Sequence, residues 1–301
     1  MKISGFSFAK NSQQLYYPLV ESIRSALPIC DEFIIAVGAG DPEDNTAKLI
    51  SDIQDPKIKI IHTDWAVRQN PGKHVFADQT DIALAQCSGD WCLYIQSDEV
   101  LHEKDHEAIL SRCRELQDNP RVEGLLFDFH HIWGDYTHEQ RNHSWYSREI
   151  RIIRNRCTIS SYLDAQSFRR GDCKLNVARV DASMFHYGWA RPPRLMQKKR
   201  KAFTAAYVGA DQSEREFANT APAWDYGSLK NVPLLKETHP AVMREWISRM
   251  DWADQLTYEG RSTARFSHDR LKSKCCTIIE NLFFGGDQVC GFHNYKLLRN
   301  I

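Results

Sequence analysis

The chain has 301 residues, of which 42% are hydrophobic, and its 39 Lys and Arg residues balance 39 Asp and Glu residues. This hydrophobic content can bury a sizeable core and excludes wholesale disorder, and the length fits one large α/β domain or two smaller ones. The zero net charge argues against a dedicated nucleic-acid-binding protein, which would carry a basic excess.

Neither a membrane span nor a secretory leader is evident in the sequence. No apolar run approaches the roughly 18 to 20 residues that cross a bilayer. The apolar segment at residues 3–9 ends at Lys10, too early for a signal peptide. The nine Cys residues form no C-x-x-C pair, which argues against a disulfide framework and a zinc knuckle. We therefore expect a cytoplasmic protein without a transmembrane segment.

Strand and helix patterns alternate over the first hundred residues. Residues 32–37 form a near-continuous apolar run, which is typical of a strand buried on both faces of a parallel sheet. Residues 15–27 place apolar side chains at helical spacing until Pro28 ends the pattern. The alternation predicts βαβ units. The predicted strands are residues 2–8, 32–37, 57–62 and 91–95, and the predicted helices are residues 15–27, 46–53 and 75–86.

The pattern changes after a further predicted helix at residues 103–116. Three strand-like segments then follow one another without long helices between them, which predicts a mixed sheet beside the parallel one. These segments are residues 123–132, 148–153 and 176–180. The rest of the chain has helical patterns at residues 193–208, 241–253 and 268–284. We therefore predict a first domain at residues 1–190 and a mainly helical C-terminal extension at residues 191–301.

Polar residues stand where the predicted parallel strands end, at the edge where such sheets bind ligands. Lys10 and Asn11 follow the first strand, residues 38–41 the second, and residues 96–99 the fourth. A carboxylate at this edge can hold Mg²⁺ or Mn²⁺, although the same residue can equally be a helix N-cap. The fingerprints of nicotinamide Rossmann enzymes, P-loop NTPases and α/β-hydrolases are absent from the sequence.

The order of these motifs resembles the family 2 glycosyltransferases, which have the GT-A fold. In that family a strand ending in a turn such as V-D-D-G-S-T-D-G-T holds the nucleotide, and residues 37–46 read VGAGDPEDNT, a looser version one residue longer. The D-x-D motif of the family falls on Gln96, Ser97 and Asp98, with Gln in place of the first acid. Residues 78–91 resemble the R-N-x-G…A-x-G-D stretch. The resemblance covers residues 1–120, with a further similarity at residues 164–169 and 186–193.

This resemblance implies a fold, an activity and a cofactor. The fold would be a GT-A-like, Rossmann-type mixed sheet flanked by helices, with residues 1–190 binding the nucleotide sugar and performing catalysis. The activity would be transfer of a sugar from a UDP-, GDP- or dTDP-sugar to a carbohydrate or another hydroxyl acceptor, with inversion. A Mn²⁺ or Mg²⁺ ion would assist the departure of the nucleotide. The residues expected to bind the nucleotide sugar are Lys10, Asn11, Gly38, Asp41, Gln96, Ser97, Asp98, Arg191 and Lys198.

Asp98 and His186 are the expected metal ligands, because the last acid of the family motif usually touches the metal and a later His often joins it. Gln96 is neutral and would weaken the metal site. Arg191 and Lys198 belong to a basic cluster, residues 191–201, in which Arg191, Arg194 and Lys198 would share one helix face. They could grip a diphosphate, or they could simply form a solvated face.

Inversion requires a base on the acceptor side, and Asp164 lies where the resemblance places it. Asp164 could instead be a turn residue, and Asp135 and Glu139 are rivals that more readily fit a solvated loop. Aromatic residues that could stack on sugar rings are dense in this region, although core packing explains them equally well. These residues are Trp133, Tyr136, Trp145, Tyr146, Tyr187 and Trp189. We discount a metal at His130 and His131, since adjacent strand residues point to opposite faces.

Two other functions stay open at this stage. Gln96 and the loose nucleotide turn also fit a non-catalytic protein that binds sugar nucleotides or glycans. A sugar nucleotidyltransferase would share the sheet, but it usually has a Gly-rich basic loop after the first strand, where this chain offers only Lys10. The sequence shows no amphipathic anchor, which disfavours a lipid-embedded acceptor but leaves open a peripheral position at the inner membrane face. The C-terminal helices could also form a homodimer contact.

Overall fold

The computed structural model describes residues 1–66, 74–260, 262, 264–285, 288–289, 291–299 and 301. These residues form twelve strands and eight α-helices. The strands are β1 (Ile3–Ala9), β2 (Glu32–Gly38), β3 (Ile58–Thr63), β4 (Trp91–Tyr94), β5 (Glu99–Leu101), β6 (Gly124–Trp133), β7 (Glu139–Gln140), β8 (Arg148–Arg154), β9 (Ile159–Tyr162), β10 (Ser167–Arg170), β11 (Cys173–Trp189) and β12 (Tyr295–Leu297). The helices are α1 (Leu19–Ala26), α2 (Thr46–Ser51), α3 (Val75–Leu84), α4 (His106–Glu115), α5 (Pro193–Val208), α6 (Ala210–Phe217), α7 (Arg244–Ser248) and α8 (Leu271–Phe283).

A single mixed sheet runs through the molecule in the order β3-β2-β1-β4-β8-β6-β11-β10-β9, with β5, β7 and β12 paired at its sides. The strands β3, β2, β1 and β4 are parallel. Strand β8 runs antiparallel to both β4 and β6. The predicted α/β class and the mixed sheet flanked by helices are confirmed.

The parallel half is buried on both faces, as the apolar run of β2 predicts. On one face Phe33 and Ile35 pack with Ile23 of α1. On the other face Ile34 packs with Val75 of α3. Helices therefore cover both sides of these strands and leave their carboxyl ends accessible for a site.

Strand β11 is much longer than the sequence pattern indicates. The predicted strand covers residues 176–180, whereas β11 spans Cys173–Trp189 with irregular register against β6 near residues 179–183 and 186–189. Charged residues such as Asp181 interrupt the apolar pattern without ending the strand. Near its carboxyl end β11 pairs with β5 so that His186 lies opposite Glu99.

Some predicted helices are shorter in the structure, and their limits have local causes. Helix α1 begins at Leu19 because Pro18 is its N-cap, and residues 11–17 form turns in which Asn11 and Tyr16 have φ values of 53° and 57°. The segment at residues 241–253 contains only the five-residue α7 with flanking 3₁₀ turns. Among the described residues, no helix combines the length and hydropathy that crossing a bilayer requires.

Candidate active site

A cleft of ≈ 1380 Å³ opens at the carboxyl ends of β1 and β4 and is closed on one side by α5. Most of the predicted site residues contribute to its walls, although they come from distant parts of the chain. Those that line the cleft are Lys10, Asn11, Asp41, Gln96, Ser97, Asp98, Asp164, His186 and Lys198. The βαβ topology produces this convergence because parallel strands end at one edge.

Asp98 is the centre of charge in the cleft. Its Oδ2 accepts a hydrogen bond from Lys199 Nζ at 2.9 Å, and it lies 3.8 Å from His186 Nε2 and 3.9 Å from an Arg191 guanidinium nitrogen. Burial alone would raise the pKa of Asp98, but Lys199, His186 and Arg191 together hold it well below its ordinary value. Asp98 is therefore a buried carboxylate that stays ionised.

A chain of hydrogen bonds fixes the orientation of His186. His131 Nε2 contacts the Tyr146 carbonyl at 2.7 Å, so this nitrogen must be the donor. Burial holds the pKa of His131 well below its ordinary value, and the neutral ring accepts through Nδ1 from His186 Nδ1 at 3.0 Å. The Nε2 atom of His186 then faces Asp98 Oδ2 at 3.8 Å. His131 thus positions His186, as partners behind metal-binding histidines commonly do.

Gly188 lies against Asp98 and His186, which we call the acidic centre, and its missing side chain leaves space beside them. A Cβ atom at residue 188 would lie 2.3 Å from His186 Nε2 and 2.8 Å from Asp98 Oδ2. The Gly188 carbonyl also accepts a second hydrogen bond from Lys199 Nζ at 2.9 Å. Glycine is therefore required here by the close approach of the two site side chains.

The loop between β4 and β5 is held by a buried ion pair. Arg151 donates two hydrogen bonds to Glu99, at 2.8 and 2.6 Å, and both side chains are fully buried. Glu99 also accepts from the backbone N–H of Gln96 at 3.1 Å, and Arg151 donates to the Gln166 carbonyl at 3.0 Å. One buried pair thus connects the loop that carries Asp98 with the β9–β10 loop.

The residues after β1 and β2 form the opposite wall of the cleft. Asn11 has a left-handed φ and its side-chain oxygen accepts from the Asp41 backbone N–H at 2.9 Å. Lys10 lies over the Trp65 ring at 5.0 Å. Gly38 does not line the cleft. It lies directly beneath Trp65, and a Cβ atom at residue 38 would lie only 2.2 Å from the indole nitrogen. The role of Gly38 is to admit Trp65, which does line the cleft and which our sequence analysis did not select.

Asp164 lies in the tight β9–β10 turn, between two non-glycine residues with positive φ. Leu163 has φ 52° and Ala165 has φ 64°, a conformation that costs energy and is enriched at functional sites. Asp164 accepts a hydrogen bond from the Tyr207 hydroxyl on α5. Burial and the negative charge of Asp164 raise the pKa of this hydroxyl. The Gln96 amide donates to the Ala165 carbonyl at 3.1 Å, so the β4–β5 loop and the Asp164 turn are directly joined.

Asp135 and Glu139, the rivals of Asp164, do not lie on a solvated loop as expected. Both are buried: Asp135 accepts from the Thr137 backbone N–H at 2.8 Å, and Glu139 binds His130 at 2.7 Å and Arg141 at 2.8 Å. Neither is among the residues that line the cleft. His130 and His131 point to opposite faces of β6, as the alternation of a strand requires. His130 contacts Glu139, whereas His131 contacts His186.

The basic cluster is arranged differently from the shared helix face that its spacing indicates. Helix α5 begins at Pro193, so Arg191 precedes it, and Arg191 is completely buried with one nitrogen donating to the Leu15 carbonyl. Lys198 is exposed and weakly contacts Gln14 at 3.4 Å. The lysine that reaches Asp98 is Lys199. The basic composition of the cluster predicts that one of its side chains reaches the site. Which side chain does so depends on the rotation of α5 about its axis, and the sequence does not determine this rotation.

Indole rings form the far end of the cleft. Trp133 stacks on Trp189 at a centroid distance of 5.2 Å, and Trp145 meets both rings at 5.5 Å. The indole N–H groups of Trp145 and Trp224 are buried and have no hydrogen-bond partner among the residues that the structure describes. We call Trp133, Trp145, Trp189 and Trp224 the tryptophan wall. In contrast, Tyr136 and Tyr187 pack in the core.

The acidic centre fits a divalent cation in its donor chemistry. Asp98 offers a carboxylate oxygen and His186 an imidazole nitrogen 3.8 Å away, beside the space that Gly188 leaves. No group of three or more His, Cys, Asp or Glu residues suited to a metal occurs in the described part of the chain. Such ions are commonly held by one or two protein ligands together with substrate phosphates. Asp98 and His186 would therefore be enough protein ligands for a cation that also binds substrate phosphates, provided that Lys199 releases Asp98 Oδ2.

The fold and the position of the cleft define a GT-A-like α/β protein. Staphylococcus aureus TarS 1–349 is similar over 73% of this chain and 73% of its own, with 14% identity and a TM-score of 0.35. Glucosyl-3-phosphoglycerate synthase from Mycobacterium tuberculosis, solved with Mn²⁺, UDP and phosphoglyceric acid, is similar over 42% of each chain, with 19% identity and a TM-score of 0.31. No protein-family model and no curated protein matches the chain.

Proposed function

We propose that the protein is a glycosyltransferase that moves a sugar from a nucleoside-diphosphate sugar to an acceptor hydroxyl with inversion. The observation that carries this proposal is the convergence of Asp98, His186, Lys199 and Asp164 in one cleft at the carboxyl edge of the parallel strands. Two carboxylates in different surroundings suit two different tasks. One is surrounded by cations, and the other stands on a strained turn.

The donor half of the cleft provides positive charge where a leaving group needs it. When the bond between the sugar carbon and the diphosphate oxygen breaks, the electron pair leaves with the diphosphate. Lys199 and Lys198 can bind its oxygens, and Arg191 adds charge from below Asp98. A Mn²⁺ or Mg²⁺ ion, held by Asp98 and His186, would supply Lewis-acid stabilisation of the same charge when bound.

The acceptor half of the cleft provides a base and an apolar wall. Asp164 takes the proton of the acceptor hydroxyl while its oxygen attacks the sugar carbon on the face opposite the departing diphosphate. The tryptophan wall suits a carbohydrate acceptor, since sugar rings stack on aromatic faces.

The first experiment is a thermal-shift screen of the full chain with UDP, GDP, dTDP, CMP and ADP, each with and without Mn²⁺. A ligand that binds only the folded state raises the melting temperature. A shift with one diphosphate that grows with Mn²⁺ would support the donor site and identify the base. A shift that ignores Mn²⁺ would assign the diphosphate to Lys199 and Lys198. The absence of any shift from a cooperatively melting sample would refute the donor site.

Turnover separates an enzyme from a binding protein. With the nucleotide sugar identified by the screen, we expect Asp164→Asn to lower transfer by about 10²- to 10⁴-fold while nucleotide affinity stays unchanged. Asp98→Ala should abolish transfer and lower the melting temperature, because it leaves the buried Arg191 and Lys199 without their carboxylate. Asp52→Asn, at an exposed carboxylate beyond α2, is the matched control. Nucleotide binding without hydrolysis or transfer in the wild type would favour a non-catalytic binding protein.

Three further parts of the proposal concern organisation. We propose a functional boundary near residues 190–191, because Asp98 and Asp164 lie before it and Lys199 after it. Cytoplasmic location and a homodimer remain predictions. Fractionation of cells that produce the full chain and sedimentation velocity of the purified protein test them.

A further inference from the structure

Helix α8 is attached to the rest of the protein by its polar side. Ser273 Oγ bonds Ser144 Oγ at 2.8 Å, and Thr277 Oγ1 accepts from the His143 backbone N–H at 2.9 Å. Glu280 is buried and contacts His143 Nδ1 at 2.9 Å. These residues recur at intervals of three and four, so they share one face of the helix. The buried face of α8 is therefore the polar one.

The opposite face of α8 is apolar and faces solvent. Leu271 is 82% exposed, Leu282 71% and Phe283 74%. An amphipathic helix of a globular protein normally turns its apolar stripe toward the core, and the reverse arrangement marks a surface that another body covers. We call this surface the outer face of α8. It consists of Leu271, Cys275, Ile278, Ile279, Leu282 and Phe283.

Positive charge accompanies the outer face. Lys272 and Lys274 are exposed on α8 itself, and Arg270 is exposed immediately before it. Asp269, the residue before Arg270, lies 3.8 Å from Lys274 Nζ and offsets one of these charges. The sole carboxylate of the helix, Glu280, is buried against His143. The exposed surface of α8 thus combines large apolar side chains with lysines and carries no carboxylate of its own. This is the composition of helices that lie in the plane of an anionic membrane surface. It differs from our expectation from the sequence, which shows no amphipathic anchor.

We propose that α8 docks the protein onto a lipid surface with anionic headgroups, its axis parallel to the membrane and its outer face inserted among the lipids. Charge complementarity favours this occupant over a second copy of the chain, whose α8 would bring lysines against lysines. Ser267 and His268 line the cleft a few residues before Leu271. Docking therefore brings this end of the cleft close to the headgroups. The inference does not depend on the chemistry proposed for the cleft.

Vesicle co-sedimentation of the full chain tests the proposal. We expect binding to vesicles of phosphatidylcholine mixed with phosphatidylglycerol and much weaker binding to phosphatidylcholine alone. Lys272→Gln with Lys274→Gln should weaken binding to the anionic vesicles about 30-fold, and Leu282→Ser should weaken it about 10- to 100-fold. All of these side chains are exposed, so the melting temperature should not change.

Matched substitutions elsewhere serve as controls. Leu234→Ser removes a leucine that is 62% exposed away from α8, and Lys48→Gln with Lys230→Gln removes two exposed charges. Both should leave vesicle binding intact. The proposal is overturned if the wild type ignores the anionic vesicles, or if Leu282→Ser binds as well as Leu234→Ser. A dimer that Leu282→Ser dissociates, with no vesicle binding, would assign the outer face to a second copy.

Discussion

At the proposed metal site, Lys199 would compete with a divalent cation for the same oxygen of Asp98, and Lys199→Met tests this competition directly. Lys199 Nζ lies 2.9 Å from Asp98 Oδ2, and the lysine side chain is only 14% exposed. A hydrogen bond between charged groups contributes about 1.5 to 3 kcal/mol, which a metal must displace in the wild type. Methionine retains the length of the side chain without its charge. We therefore expect Lys199→Met to bind Mn²⁺ about 10- to 100-fold more tightly than the wild type.

The assay is a titration of the purified chain with Mn²⁺, in which the signal of the free ion is followed by electron paramagnetic resonance. Lys198→Met is the matched control, because it removes a neighbouring charge on α5 that does not contact Asp98. Equal Mn²⁺ affinity in all three proteins would show that Lys199 does not obstruct the metal site. Weaker binding in Lys199→Met would refute the competition altogether.

Three other predictions concern buried groups around the site and the sheet. Arg151→Met should destabilise the protein by about 3 to 5 kcal/mol in denaturant unfolding, because it leaves the buried Glu99 carboxylate without its cation. Adding Glu99→Gln should restore much of the loss. His131→Phe should weaken Mn²⁺ binding about 10- to 100-fold with a nearly unchanged melting temperature, since it removes the partner that orients His186. Burial raises the pKa of Glu32, but hydrogen bonds from Lys59, Ser88 and Ser4 lower it more, to below its ordinary 4.5. The stability that this group contributes is therefore present above pH 4.5 and is lost as the pH falls. Glu32→Gln should flatten the acid side of the melting profile, and a parallel decline in wild type and variant would contradict this assignment.

Much of the fold could be predicted because the parallel half has a strong local signal. The run at residues 32–37 requires burial on both faces, and β2 has that position. The full length of β11 could not be recognised, since Asp181 and its polar neighbours break the apolar pattern while the backbone ladder continues. Ladder hydrogen bonds do not depend on side-chain polarity, so periodicity cannot detect them.

The part of the candidate site that lies directly after the parallel strands could be predicted from the order of the strands alone. Asp98 lies in the short loop that follows β4, and its place at the sheet edge needs only the topology. Lys199 and His131 required the fold, because one depends on the phase of α5 and the other on the register between β6 and β11. The outer face of α8 also required the fold: the pattern at residues 268–284 predicts a helix, but not which side of it faces solvent.

The buried pair of Glu99 and Arg151 limits how the two halves of the cleft can change independently of each other. Because it ties the backbone of Gln96 to that of Gln166, the loops beneath both halves of the cleft behave as one body. A substitution that shifts one loop must disturb the other. Under the proposed function, new acceptors would therefore be accommodated by exchanging rings of the tryptophan wall, which lies outside this connection, while the geometry between Asp98 and Asp164 would be retained.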